Sequence, residues 1–206
     1  MLRESSDGGY PGTCRDKELP FDGEGTSWRL STEGAEEIEV KALGGGRIWG
    51  EIAARTMDEE IVREELPAEM RDFIVRKKDG FPAYQLVSVM DDLHFGVDLV
   101  VRGVDLWPST LAQHWLARQL RQQAFGEIRF YHHPLLLEPA GTKMSKSPSV
   151  KLSKSAGSTS IRLLREQGLK PSDIYSMIAR MTGRDFPAGS WEELVAGLDG
   201  ESAKPF

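Results

Sequence analysis

The first 27 residues place few apolar positions among frequent Gly, Asp and Pro, so no packed element is expected there. Short strands are expected from Trp28 to Leu30 and from Ile38 to Val40, with a turn region between them. Another is expected from Arg47 to Ile52, after the Gly44-Gly45-Gly46 break. Residues 58–71 are charged and partly helical in spacing, with Pro67 as a limit. Asp72 to Arg76 reads as a short apolar strand that ends in an Asp79-Gly80 turn. The centre is patterned more strongly. Ala83 to Met90 and Asp98 to Arg102 are apolar runs that suit buried strands of a parallel or mixed sheet. Ser109 or Thr110 is placed to cap a helix whose Leu111, Trp115, Leu116 and Leu120 share one face. Ile128 to Leu137 is strand-like but interrupted at His132-His133-Pro134. From Ser158 onward the period is helical, in segments 159–167 (stopped by Gly168), 172–181 and 190–198. Strands alternating with a helix, then helices alone, predict an α/β body with a parallel sheet and a small α-helical C-terminal appendage.

Composition narrows the picture further. A chain of 206 residues suits one large domain, or one and a half small ones. The single cysteine, Cys14, excludes a disulfide framework and any one-chain four-cysteine zinc site. No run of eighteen apolar residues exists and the N-terminus has no signal-peptide core, so a cytoplasmic protein without a membrane span is expected. The net charge of −6 conceals a polarity along the chain. Residues 1–70 balance at −9, whereas residues 141–170 carry Lys143, Lys146, Lys151, Lys154, Arg162, Arg165 and Lys170 against Glu166 alone. An acidic protein of this kind is no general nucleic-acid coat, yet a local basic cluster still attracts phosphates, because such fields act within about 10 Å.

That cluster contains a short tandem repeat. Lys143-Met-Ser-Lys146-Ser147 recurs eight residues later as Lys151-Leu-Ser-Lys154-Ser155. Two lysines three positions apart, among small hydroxyl residues, suit a loop that closes over a triphosphate and stabilises charge on leaving pyrophosphate. The plainer alternative is a solvated Lys/Ser linker.

The pentapeptide does not stand alone. Phe81-Pro-Ala-Tyr-Gln-Leu86, Asp91-Asp92, Gly96-Val97, Val101-Arg102-Gly103, Asp105-Leu106 and Ser109-Thr110 precede it in order. His132-His133-Pro134-Leu-Leu-Leu137 and Gly141 lead into it, and Ser160-Ile-Arg-Leu-Leu-Arg-Glu-Gln-Gly168 follows. This series resembles the class I glutamyl-tRNA synthetase family, in particular its short glutamyl-queuosine tRNA(Asp) synthetase-like members. The likeness extends to about residue 182 and rejects the unrelated-linker reading.

The resemblance implies a partial Rossmann-like class I catalytic domain over 28–160, a remnant of a zinc-binding connective segment over 1–27 and a helical appendage over 161–206. It implies ATP with Mg²⁺, glutamate and tRNA as ligands, with glutamate activated on ATP and transferred to tRNA or a modified tRNA base. Tyr84 and Arg102 stand where the family holds the glutamate, and Ser88 stands where a polar side chain lies beside it. An Arg fork and a Tyr hydroxyl suit a carboxylate. The alternatives are a core aromatic in a strand for Tyr84, and a salt bridge to Asp91, Asp92 or Asp105 for Arg102. Either Lys143 with Lys146 or Lys151 with Lys154 fills the loop role.

Three departures bear on activity. The His-x-Gly-His signature is absent, since His94, His114, His132 and His133 do not have that spacing. Tyr10 and Cys14 match the end of the zinc segment, but its two earlier cysteines are missing, so zinc is not expected in this chain. Val104 replaces an acidic residue after the Arg-Gly pair. The expectation is an incomplete synthetase, completed by a second chain or an oligomer. The alternative is a truncated, non-catalytic paralogue that binds tRNA, nucleotide or a partner protein.

Overall fold

A computed structural model describes residues 9–15, 17–21, 23, 25–43, 59–133, 161–181 and 185–199. The expected strand at 47–52, the lysine repeats and the segment from Pro134 to Ser160 lie outside these residues. The described residues fall into two units, one within 1–46 and 58–133 and the other within 134–206.

In the first unit, alternation builds the sheet. Strand β1 (Trp28–Arg29) is followed by β2 (Ile38–Leu43), where Ile38, Val40 and Ala42 point into the core and Glu39 points out. Strand β3 (Glu59–Glu64) pairs antiparallel with β2, and β4 (Ile74–Arg76) pairs antiparallel with β1. The charged segment 58–71 is thus not helical as its spacing suggested. Its Glu60, Val62 and Glu64 alternate in burial with Glu59, Ile61 and Arg63, and the ladder to β2 overrides a Glu-rich composition. A single 3₁₀ turn follows Pro67, at Ala68–Met70.

Helix α1 (Tyr84–His94) replaces the strand expected over 83–90. The apolar run there hides a helical period: Leu86, Val89 and Leu93 pack on the core, while Val87 and Met90 are exposed. Gly96 ends the helix at φ +63, with the Val97 N–H on the Asp92 carbonyl at 2.9 Å and the Gly96 N–H on Leu93 at 3.3 Å. This is the left-handed cap that glycine accommodates without strain. Strand β5 (Leu99–Gly103) leads through a 3₁₀ turn into α2 (Trp107–Gln119), and β6 (Arg129–His133) closes the unit. Ser109 and Thr110 do not cap α2. The helix begins two residues earlier, with Pro108 in its first turn, and both hydroxyl residues are buried inside it.

The main sheet has the order β3-β2-β6-β5, with β6 parallel to both β2 and β5 and only the β2–β3 pair antiparallel. Its core joins Val40, Val89, Leu111, Trp115, Leu116, Phe125, Ile128 and Phe130. A polar hub ties the N-terminal segment to this body. Asp72, 4% exposed, accepts from Arg15 Nη2 at 2.6 Å, Arg15 Nε at 3.2 Å, the Thr32 N–H at 3.0 Å and Thr32 Oγ1 at 3.2 Å. Burial alone would raise this carboxyl, but the Thr32 N–H and the Arg15 guanidinium outweigh it and hold it below the usual carboxylate value.

The second unit contains α3 (Ile161–Glu166), α4 (Pro171–Met181) and α5 (Trp191–Asp199), in the places the helical period indicated. Gly168 closes α3 at φ +86, Asp173 accepts from the Lys170 N–H at 2.7 Å, and Ser190 Oγ caps α5 through the Glu193 N–H at 3.2 Å. Ala179, Ala188 and Leu194 form its small core. No described helix is long and apolar enough to cross a membrane.

Candidate functional site

Parallel pairing brings the ends of β5 and β6 to one edge of the sheet, with Arg102 opposite His132 and Gly103 opposite His133. Val100 and Arg102 lie two residues apart on β5, as Phe130 and His132 do on β6, so each pair shares a face. That face carries α1 and α2. Crevices at the carboxyl ends of parallel strands are the usual ligand position in α/β sheets.

Arg102 is the centre of the arrangement. Its Nη2 donates to Thr110 Oγ1 and, at 2.9 Å, to Gln113 Oε1, while its Nε donates to His132 Nε2 at 3.4 Å. The guanidinium also lies over the Phe130 ring, 5.1 Å from its centroid. Because Arg Nε can only donate, His132 Nε2 must offer a lone pair and its proton resides on Nδ1. Thr110 Oγ1 is 2.8 Å from the same Nε2. Every direct partner of this cation is neutral. The described residues provide no carboxylate within ion-pairing distance, so the salt bridge to Asp91, Asp92 or Asp105 weighed for Arg102 is not formed.

The electrostatics follow from burial. Desolvation lowers the Arg102 pKa, opposed first by Tyr84 and then by Asp92, yet a guanidinium stays charged at any ordinary pH. Burial depresses His132 to about 4, helped by Arg102 and His133 and opposed by Asp105. His114 is depressed to about 4 by burial and by Arg102, against a 2.9 Å bond from its Nδ1 to the Thr110 carbonyl. Burial raises Asp92, with Arg102 opposing and Asp91 assisting. Both imidazoles beside the cation are therefore neutral at neutral pH.

Tyr84 and Arg102 come together at this point, and Ser88 lies on the same helix as Tyr84. Tyr84 is on the first turn of α1, and its hydroxyl is the first group to oppose the desolvation of Arg102. Ser88 and Asp92 follow at four-residue intervals on the same helical face. Tyr84 is 54% exposed, so it is not the core aromatic that a strand would have made it. The candidate lysines, Lys143, Lys146, Lys151 and Lys154, are outside the described residues. Tyr10 and Cys14 lie together at the surface, with the Cys14 N–H donating to Tyr10 Oη at 2.8 Å. Hydrogen bonds from Tyr10 and Thr13, with Lys17 and Arg29 nearby, lower the exposed thiol's pKa. Two side chains on one turn do not make a zinc site, and the described residues contain no cluster of three His, Cys, Asp or Glu.

Thr110, Gln113 and His132 are the additions that the structure makes to the candidate set. His132 was readable as a packing or hydrogen-bonding residue, and Thr110 as a cap. Gln113 carried one usable signal. It is a polar residue inside the apolar stretch from Leu111 to Leu116, and burial of such a residue requires a partner.

Comparison with known proteins gives the family of the chain. Residues 52–196 match the family model for class I tRNA synthetases (E and Q), catalytic domain. Over 142 residues the chain is 38% identical to the glutamyl-Q tRNA(Asp) synthetase of Dechloromonas aromatica, covering 68% of this chain and 41% of that one. Over 165 residues it is 34% identical to the Pseudomonas aeruginosa (strain LESB58) glutamyl-Q tRNA(Asp) synthetase, covering 79% and 49%. The matches span about half the length of these relatives or less. Among solved structures, a glutamate tRNA ligase from Elizabethkingia meningosepticum, in complex with its amino acid, aligns over 78% of this chain and 35% of that one. Its TM-score is 0.42 and its identity 20%. With the family model matching well over half of the chain, the protein belongs to the class I tRNA synthetases (E and Q), within their catalytic domain.

Proposed function

We propose that the Arg102 crevice receives the side-chain carboxylate of glutamate, in a protein that activates glutamate with ATP and transfers it to tRNA or a modified tRNA base. The observation that carries this is a half-buried guanidinium surrounded by neutral groups. An uncompensated cation taken from water is costly, and an anionic ligand offsets that cost. The Tyr84 hydroxyl beside the guanidinium supplies a second donor, and Ser88 is a further polar group one turn along the helix.

In the proposed reaction the glutamate α-carboxylate oxygen attacks the α-phosphorus of ATP. The bond to the bridging oxygen breaks, pyrophosphate leaves, and a mixed anhydride forms. A hydroxyl of the acceptor tRNA then attacks the carbonyl carbon and AMP departs. One lysine pair, Lys143 with Lys146 or Lys151 with Lys154, stabilises the pyrophosphate, with Mg²⁺ as the expected companion of ATP. The site for this chemistry implies a cytoplasmic protein.

Glutamate-dependent ATP–pyrophosphate exchange by the folded chain is the test. Exchange above the no-glutamate background supports the enzyme, and its complete absence from folded protein overturns activity for this chain. Lys143→Ala and Lys151→Ala, compared for ATP binding, identify the working pair. Unchanged binding in both variants removes the lysine loop from the mechanism. The alternative, a non-catalytic chain that binds tRNA, nucleotide or a partner protein, predicts binding without exchange.

A further inference from the structure

We infer that Gln113 is a positioning residue that keeps the charge of Arg102 directed at an incoming carboxylate, an inference that rests on the glutamate reading above. A guanidinium has five N–H donors on three nitrogens. The protein engages Nε through His132 and Nη2 through Thr110 and Gln113, so one edge of the fork is occupied. The Tyr84 hydroxyl also hydrogen-bonds to the guanidinium, and Nη1 is the nitrogen that His132, Thr110 and Gln113 leave unengaged. A carboxylate cannot take the Nε–Nη2 edge as a parallel fork. It meets Nη1 from the open side, where Tyr84 stands, and the arginine and the tyrosine divide its two oxygens.

Gln113 is suited to this task in two ways. It is wholly buried on the second turn of α2, so its amide cannot swing away to solvent. It presents a carbonyl oxygen, which fixes Nη2 without cancelling the positive charge. Its buried Nε2 has no partner among the described residues, a cost that a residue chosen only for packing would not incur. The same holding contact from Glu would be stronger and shorter, but would neutralise the cation that the substrate needs. The neutrality of position 113 is therefore the functional property, and the hydrogen bond alone is not.

This separates stability from binding. In Gln113→Glu one carboxylate oxygen replaces Oε1 against Nη2, and the second takes the place of the orphaned N–H. The variant is expected to unfold at the same temperature as the unaltered chain or higher, while L-glutamate binds at least tenfold more weakly. Gln113→Leu leaves Nη2 held by Thr110 alone and is expected to weaken glutamate with a lower melting temperature.

The experiment is a titration of the unaltered chain and both variants with L-glutamate, followed by calorimetry and by the ¹⁵N–¹H resonance of Arg102 Nε. The resonance is assigned by its loss in Arg102→Lys. Saturable binding to the unaltered chain, with a tenfold or greater loss in a stably folded Gln113→Glu, supports the inference. Equal affinity of the unaltered chain and Gln113→Glu overturns it and leaves the glutamate reading intact. No binding to the folded, unaltered chain overturns the glutamate reading itself, and the role of Gln113 with it.

Discussion

Asp72 and Arg102 are both charges removed from water, and the molecule treats them in opposite ways. Asp72 meets a full cation, Arg15, and two donors from Thr32, so its charge is answered within the chain. Arg102 meets a hydroxyl, an amide and an imidazole, which hold its geometry and leave its charge unanswered. The first is an arrangement that holds the fold, and the second is the one proposed above to hold a ligand. Burial alone does not distinguish them. The sign of the immediate neighbours does.

The largest test of this contrast falls on the structural side. Asp72→Ala is expected to destabilise the first unit by about 3 kcal/mol or more in urea unfolding, through lost charge-assisted hydrogen bonds and an Ala at φ +44. Arg15 is 40% exposed and rehydrates when its partner goes, which keeps the cost from rising further. A loss under about 1 kcal/mol would break the comparison at once.

Acidification probes the other side. His114 binds a proton near 6.5 when unfolded and near 4 when folded, so between those values the unfolded chain holds more protons. Stability is therefore complete above about pH 6.5 and declines as the pH falls towards 4. At pH 5 the loss from His114 is about 2 kcal/mol, and His132 adds to it in the same direction. Asp72, with its lowered pKa, begins to contribute acid lability only below the ordinary carboxylate value. Unfolding midpoints measured at pH 7, 5 and 3 resolve the two phases. A flat profile from 7 to 5 would remove the buried imidazoles from the account.

Arg102→Met is expected to destabilise the first unit by no more than about 2 kcal/mol, because relief of desolvation offsets part of the cost of leaving the buried Gln113 amide unpaired. The same variant is expected to abolish glutamate binding measured by calorimetry. A large destabilisation would mean that Arg102 is structural after all. The smallest effect belongs to charges that never left water. The Arg63–Glu39 pair between β3 and β2 is 2.7 Å long with both side chains more than half exposed, so Glu39→Ala should move the thermal midpoint by no more than about 1 °C.

The parts of the fold that could be read from the chain were those whose local pattern agrees with their tertiary setting. β5 could be read because Leu-Val-Val is bounded by Gly96 and Gly103, and the terminal helices because Gly168 and Ser190 mark a stop and a start. α1 was misread because Leu86, Val87, Val89 and Met90 are nearly contiguous, so burial of only some of them could not be seen without a core to pack against. β3 was misread because its glutamates belong to a strand only when β2 lies beside it. At the site, the motif order singled out Arg102, Tyr84 and Ser88, of which the Tyr84 hydroxyl meets the Arg102 guanidinium and Ser88 lies one turn along the same helix. Thr110 has the spacing of a helix cap, and Gln113 carries no motif, because their partner Arg102 lies on β5 beyond a 3₁₀ turn whose path the spacing does not reveal.

Strand β6 sits between β2 and β5, and this has a consequence for how the chain acquires its shape. β2 begins at Ile38 and its parallel partner not until Arg129, so the middle of the sheet is the last of it to be synthesised. On the ribosome, β2 with β3 and β5 with its helices emerge as separate pieces that share no ladder until residues 129–133 clear the exit. Such long-range parallel closure is slow, because most of the loop entropy is lost before any of its hydrogen bonds form. Arg102 and His132 face each other only after that step. The Arg102–His132 contact is therefore assembled by the same late event that joins β2 to β5 through β6, and a chain cut short before Arg129 would lack both.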